Sequence, residues 1–204
     1  MQTLVIHGAG RHAKVVADLA RLVGWTVVAF LDDVNPNRRG SEFCGARIIT
    51  CEDVTTFQAA EVALGFGDNG VRVAAATRWR EAGWQLPAMV HPRAVLAHDA
   101  HVGEGSQLMA GAVVSPETTL GRAVIINTGA TVQPDCRIGD GVHVGPGAHL
   151  GGNVTIGEGT LVGIGASILP DVNIGRSCVI GAGAVVVRDV ADGSTVYGVP
   201  AQIR

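Results

Sequence analysis

No run of basic residues interrupts this chain of 204: its 15 Lys and Arg are scattered among 18 Asp and Glu, for a formal net charge of -3. That balance gives no global attraction to nucleic acid or to an anionic membrane. Cysteine is scarce, and Cys44, Cys51, Cys136 and Cys178 have neither the paired spacing of a zinc site nor the density of a secreted disulfide scaffold, so all four are expected as reduced thiols. No apolar stretch approaches the roughly 20 residues of a membrane span. The chain opens on a strand instead of a charged and then apolar leader, which makes the cytoplasm the expected address. Trp25, Trp79 and Trp84 are the only indoles; the spacing of the last two reads as packing, and they are assigned no role.

What the chain does have is a period. From Leu96 to Val186 an aliphatic residue recurs at every sixth place, through Val102, Leu108, Val114, Leu120 and onward without a miss. An amphipathic helix repeats near 3.6 and a flat strand at 2, so a period of six predicts a coiled β-solenoid. The residue four places after each aliphatic is small or slim, as in Ala112, Ala130, Ala148 and Ala166, so two inward positions per hexapeptide share a narrow interior. Gly often follows the aliphatic directly, as at Gly139, Gly145, Gly151 and Gly157, where a tight corner is expected to need its freedom in φ. The tail from Val190 to Ala201 breaks the rhythm and is expected to fold back over the last coil, covering strand edges that would otherwise invite stacking.

Residues 1–90 read as a small α/β unit placed before a solenoid of 91–204. Thr3 to His7 forms a buried strand, and Gly8-Ala9-Gly10-Arg11-His12-Ala13 leads into a helix with an apolar face of Val15, Val16, Leu19, Leu22 and Val23. A second strand, Thr26 to Leu31, ends in Asp32-Asp33, about 20 residues after the glycines. This is the spacing of a dinucleotide-type fingerprint, with Ala13 at the third glycine position: amides at a helix N-terminus approach a phosphate, and a carboxylate reaches a nucleoside. Some 90 residues are short for a complete dehydrogenase nucleotide domain, which argues against NAD. Glu61 to Phe66 supplies a further strand and Val71 to Ala82 a second helix.

The chain resembles the sialic-acid/bacillosamine-type sugar O- or N-acyltransferases. The likeness runs through His7-Gly8-Ala9-Gly10-Arg11-His12-Ala13-Lys14, Phe30-Leu31-Asp32-Asp33, Gly65-Phe66-Gly67-Asp68-Asn69, Val90-His91-Pro92, Ile126-Asn127-Thr128-Gly129-Ala130 and Gly198-Val199-Pro200-Ala201. It implies a small Rossmann-like N-terminal domain followed by a left-handed parallel β-helix of hexapeptide repeats, assembled as a homotrimer with acetyl-CoA held between subunits. It further implies a nucleotide-linked amino sugar as the acceptor. Carried onto this chain, Gly8, Gly10, Arg11, His12 and Lys14 would face the nucleotide phosphates, and Asp32 or Asp33 the base. The implied CoA contacts fall on Asn127, Gly152, Ile164, Gly181 and Ala182.

If three hexapeptides make one coil of about 18 residues, Asn127, Gly145, Gly163 and Gly181 stack in one column with Thr128, Pro146, Ile164 and Ala182 beside it. A ladder without bulky side chains, with exposed amides, is expected to accept an extended pantetheine arm. Catalysis is where the chain departs from the resemblance. The family pattern after the Asn continues to a His-Asp-Cys or His-Glu-Cys, with the His as general base; here the segment reads Pro134-Asp135-Cys136, and Pro134 cannot accept a proton. His143 matches a second histidine of the pattern, is expected at a corner facing the groove, and is the best candidate base. Asp135, a group from a neighbouring subunit, and loss of turnover are the alternatives. The reading is thus an acetyl-CoA-dependent N-acetyltransferase of a nucleotide-linked amino sugar. The alternatives are sugar O-acetylation, or a catalytically weak nucleotide-sugar and CoA-binding relative. His98, His101, His143 and His149 also suggest the β-helical carbonic anhydrases, but zinc needs three or more converging ligands and scattered surface histidines are the plainer reading, so no metal is expected.

Overall fold

The computed structural model describes residues 2–57 and 60–204, and the chain divides into two compact units, one ending at Met89 and the other starting at Val90. The first unit is built on five strands: β1 (Thr3–His7), β2 (Thr26–Leu31), β3 (Glu42–Phe43), β4 (Ala46–Ile49) and β5 (Ala60–Leu64). Their order is β3-β4-β2-β1-β5, parallel except for the β3–β4 hairpin. Helix α1 (Arg11–Leu22) joins β1 to β2, and α2 (Asn69–Glu81) follows β5 and starts two residues before the expected Val71. The central strand β1 is buried from Leu4 to His7, as a strand paired on both sides with its faces covered should be.

The apolar face of α1 differs from the expected one. Ala13, Val16, Ala17, Leu19 and Ala20 are buried, whereas Val15 and Leu22 are 45% and 52% exposed. Alanines share the contact with Val16 and Leu19 because the helix lies close to its neighbours: a Cβ on Gly65 would stand 2.9 Å from the Ala13 Cβ. Ala13 can therefore occupy the third-glycine position, since Gly65 opposite it carries no side chain.

The second unit is a three-sided parallel β-helix. Two-residue strands eighteen residues apart pair in register, for example Val113 with Thr131, Thr119 with Arg137, and Ile125 with His143 on the three faces. One face runs from Val95–Leu96 to Val185–Val186, a second from His101–Val102 to Asn173–Ile174, and a third carries Gln107–Leu108, Ile125–Ile126, His143–Val144, Leu161–Val162 and Val179–Ile180. Both inward positions of the hexapeptide are filled as the period predicts: Val144 and Ala148, or Val162 and Ala166, have no exposed surface.

The glycines after the aliphatics serve another purpose than the one expected. Positive φ occurs three places after the aliphatic, at Gly141, Gly147, Gly159 and Gly165, and there Asp135 (φ 65), Asn153 (φ 56) and Asp171 (φ 65) also adopt it. The glycines directly after the aliphatics are set by the stacking of coils instead. A Cβ on Gly139, Gly157 or Gly163 would lie 2.6–2.7 Å from backbone nitrogen of the next coil. At the end of the helix, Thr195–Tyr197 stacks in parallel on Val179–Ile180, and Gln202–Ile203 returns antiparallel to it, so the tail covers the third face's edge with a reversed strand.

Candidate active site and nucleotide cavity

The C-terminal ends of β1, β2 and β5 and the N-terminus of α1 surround a cavity of about 570 Å³. Gly8, Gly10, Arg11, His12, Asp32 and Asp33 all line it, which brings together six of the seven residues expected to hold substrate. Gly8 has φ 114, and a Cβ there would stand 3.1 Å from the Gly65 carbonyl oxygen; Gly10 faces open space. Gly10 caps α1 without a side chain and the first turn holds no acidic residue, so the amides and the positive end of the helix are left to a ligand. Lys14 does not join the cavity: its Nζ lies 5.8 Å from the centroid of the Phe43 ring.

Asp32 and Asp33 line the cavity with their carboxylates already engaged. Asp32 Oδ1 accepts from the amides of Val34 (3.2 Å) and Asn35 (3.0 Å), and Oδ2 from Arg38 (2.9 Å). Arg38 also donates to the Ala9 carbonyl at 3.1 Å, tying the glycine loop to the loop after β2. Asp33 accepts from the amide of Cys51 at 2.9 Å and from its thiol at 2.5 Å. These bonds with Cys51, with help from His7 and Arg78, hold the Asp33 carboxyl below the usual range against the effect of its partial burial. The Cys51 thiol is pushed up to about 11, by burial first and then by Asp33. On the far wall, Asp68 caps α2 by accepting from the Val71 amide at 2.9 Å. The fully buried Arg72 holds the Phe66–Gly67 carbonyls at 3.3 and 3.1 Å. Arg38 and Arg72 carried no pattern by which the sequence could have singled them out, since each acts on backbone carbonyls brought near by folding.

In the β-helix, Asn127 and His143 meet: Asn127 Nδ2 lies 2.9 Å from His143 Nε2. The Thr128 amide donates to Asn127 Oδ1 at 2.8 Å, which turns the Nδ2 group toward the ring. An amide nitrogen only donates, so His143 Nε2 accepts and the neutral ring carries its proton on Nδ1. His143 stands on the flat of the third face, between Ile125 and Leu161 in register, and not at the corner where the hexapeptide count put it. The reason is that the strand comprises the aliphatic and the residue before it, the latter pointing outward.

Gly145, Gly163 and Gly181 follow at the adjacent corner, but their amides donate to Val162, Ile180 and Val196 of the next coil at 2.8 Å each. The expected ladder of exposed glycine amides is thus consumed by coil stacking. One place on, the amides of Ile164 and Ala182 donate to no acceptor within the described chain, and the Ile164 side chain is 63% exposed. Asp135 and Gly152 lie at a different corner, between the first and second faces, and Asp135 is an exposed turn residue. A single chain does not bring them to His143. Among the described residues no three His, Cys, Asp or Glu side chains converge as metal ligands; His143 and His149 occupy different faces. No described helix is long and apolar enough to cross a membrane.

An N-terminal α/β unit with a cavity at its glycine loop, joined to a hexapeptide β-helix, defines the class. The family description for the PglD N-terminal domain matches residues 3–79, and that for bacterial transferase hexapeptides matches 117–152 and 153–188. PerB from Caulobacter crescentus, solved with CoA and GDP-perosamine, is 36% identical over 100% of this chain and 98% of its own, with a TM-score of 0.93. The acetyltransferase domain of PglB from Neisseria gonorrhoeae FA1090 is 38% identical over 100% of both chains, with a TM-score of 0.92. WeeI from Acinetobacter baumannii AYE is 26% identical over 100% of both, with a TM-score of 0.80. No curated protein matches the chain. The chain belongs to the sugar N-acetyltransferases that pair a PglD-type N-terminal domain with a left-handed hexapeptide β-helix.

Proposed function

We propose that this chain transfers the acetyl group of acetyl-CoA to the amino group of a nucleotide-linked amino sugar, in the cytoplasm and as a homotrimer. The N-terminal cavity supplies the nucleotide site: the uncapped N-terminus of α1 beside Arg11 and His12 suits a diphosphate. The relative solved with CoA and GDP-perosamine makes a GDP-linked amino sugar the first acceptor to test. A trimer is favoured by the placement of Asp135 and Gly152, which can join His143, Asn127 and the glycine column only when contributed by a second copy.

The observation that carries the reading is the Asn127–His143 pair at 2.9 Å beside the corner of Ile164 and Ala182. The free amine of the sugar attacks the thioester carbon, the exposed amides of Ile164 and Ala182 receive the oxyanion, and His143 takes the proton shed by the nitrogen; the C–S bond then breaks and CoA leaves as a thiolate, which receives that proton. Because Asn127 occupies the Nε2 lone pair, His143 accepts at Nε2 only as that hydrogen bond opens. Pro134 favours one second reading, a catalytically weak binder, since it stands where the family pattern places a His. An amine needs alignment more than a base, which keeps transfer to nitrogen ahead of transfer to a hydroxyl. Thiol release from acetyl-CoA, measured with GDP- and UDP-linked amino sugars for the native chain and for His143→Ala, tests the proposal. Release by the native chain alone supports it, equal release by both removes His143, and binding of both ligands without release leaves the weak binder.

A further inference from the structure

His7 is the last residue of β1, lines the nucleotide cavity and is 8% exposed, yet nothing in the transfer reaction calls on it. Its ring is held on several sides. Trp79 Nε1 donates to His7 Nδ1 at 2.9 Å, Phe66 packs edge-on at 4.7 Å between centroids, and Trp84 packs edge-on against Trp79 at 5.5 Å. An indole N–H can only donate, so Nδ1 must accept and the neutral ring carries its proton on Nε2. Among the described residues no group meets Nε2, and no buried side-chain nitrogen or oxygen lacks a partner. Nε2 is therefore the nitrogen that reaches open space, and the cavity is the open space His7 lines.

We propose that His7 is a specificity-determining donor for the nucleotide, giving its Nε2–H to an acceptor oxygen of the bound ligand while Trp79 fixes the tautomer. This rests on the reading of the cavity as the nucleotide site. Burial holds the ring neutral, its pKa lowered from 6.5 to about 4 against the opposing pull of Asp33. A neutral ring with Nδ1 occupied offers one donor and no acceptor. The oxygen it selects lies on the diphosphate, the ribose or the base.

Calorimetric titration of the full chain with GDP, UDP and inorganic pyrophosphate tests this, using His7→Leu, His7→Gln and Trp79→Phe. His7→Leu is expected to weaken GDP binding about 5- to 10-fold, the worth of one hydrogen bond. His7→Gln is expected to recover most of the loss, because its amide can accept from Trp79 and still donate. Trp79→Phe frees the tautomer and should fall between the two. A matching loss for pyrophosphate assigns the oxygen to the diphosphate; a loss confined to GDP and UDP assigns it to the base or ribose. Nitrogen NMR of the native chain should show His7 protonated at Nε2 and bare at Nδ1, a signature that packing alone does not produce. Unchanged GDP affinity in His7→Leu, with an unchanged melting temperature, or a proton found on Nδ1, overturns the proposal. A native chain that binds none of the three probes overturns the nucleotide site itself.

Discussion

Gly157 and Gly159 stand two residues apart at one corner of the β-helix, and replacing each with Ala should cost very different amounts. A Cβ on Gly157 would lie 2.6 Å from Arg176 N, 2.6 Å from Gly175 C and 2.8 Å from Gly175 O, against a comfortable separation of about 3.5–4 Å. All three are backbone atoms of the next coil, so no side chain can rotate away. The coils must part, stretching the Gly157 to Ile174 hydrogen bond of 2.8 Å. Overpacking of this kind costs about 3 kcal/mol. At Gly159 the new Cβ meets only Ser177 Oγ at 3.7 Å, and the strain is that of φ +71 for an L-residue, about 1 kcal/mol. The sequence itself places Ala123 and Ser177 in this left-handed position. The difference of about 2 kcal/mol should separate the melting temperatures by about 4–8 °C, Gly157→Ala being the lower. Both positions lie at the corner before the third face, whereas Asn127, Ile164 and Ala182 lie at the corner after it, and calorimetry or circular dichroism reads their stability directly. Equal melting, or Gly159→Ala melting first, would refute the assignment of the glycine column to coil stacking.

Further consequences concern the two sites. His143→Ala should lower kcat by about 100-fold or more with the melting temperature unchanged, read by thiol release; a full rate shows that another group takes the proton. Asn127→Asp replaces a donor to His143 Nε2 with an anionic acceptor, which favours the charged ring, so the acidic limb of the kcat/KM profile should move to higher pH; an unmoved limb separates His143 from the rate. For His7, burial lowers the folded pKa from 6.5 to about 4, so the unfolded chain binds the proton first as pH falls. Stability is then full above pH 6.5, declines by about 3 kcal/mol on the way to pH 4, and His7→Gln should flatten that window in pH-dependent melting.

The β-helix was legible because its period is enforced at every sixth residue by burial, as Val144 and Ala148 show. What the period could not show was the work of each corner position. Gly145 and Gly147 look alike in sequence, yet one is pressed against the next coil and the other adopts φ 63. The count by six puts His143 at a corner because it starts the repeat at the aliphatic, which is the strand's second residue. In the N-terminal unit the glycine loop and Asp32-Asp33 were visible by spacing, whereas β3 and β4, two and four residues long, are too short to show alternation. The Trp79–His7 bond joins residues 72 apart, and neither carries a local pattern, so Trp79 read only as packing. Asp135 enters the reading as an alternative base through the family's His-Asp-Cys pattern, and eight residues on a three-sided coil carry the chain from its corner to the far face, where His143 stands.

The most direct measurement is acetyl transfer itself: native chain, acetyl-CoA and GDP-perosamine, with thiol release followed continuously and the sugar product examined by mass spectrometry. The account predicts thiol release that depends on the amino sugar and an acetyl group found on its nitrogen. Acetyl-CoA and the sugar nucleotide both binding with no acetylated product, or an acetyl group found on a hydroxyl, would contradict it.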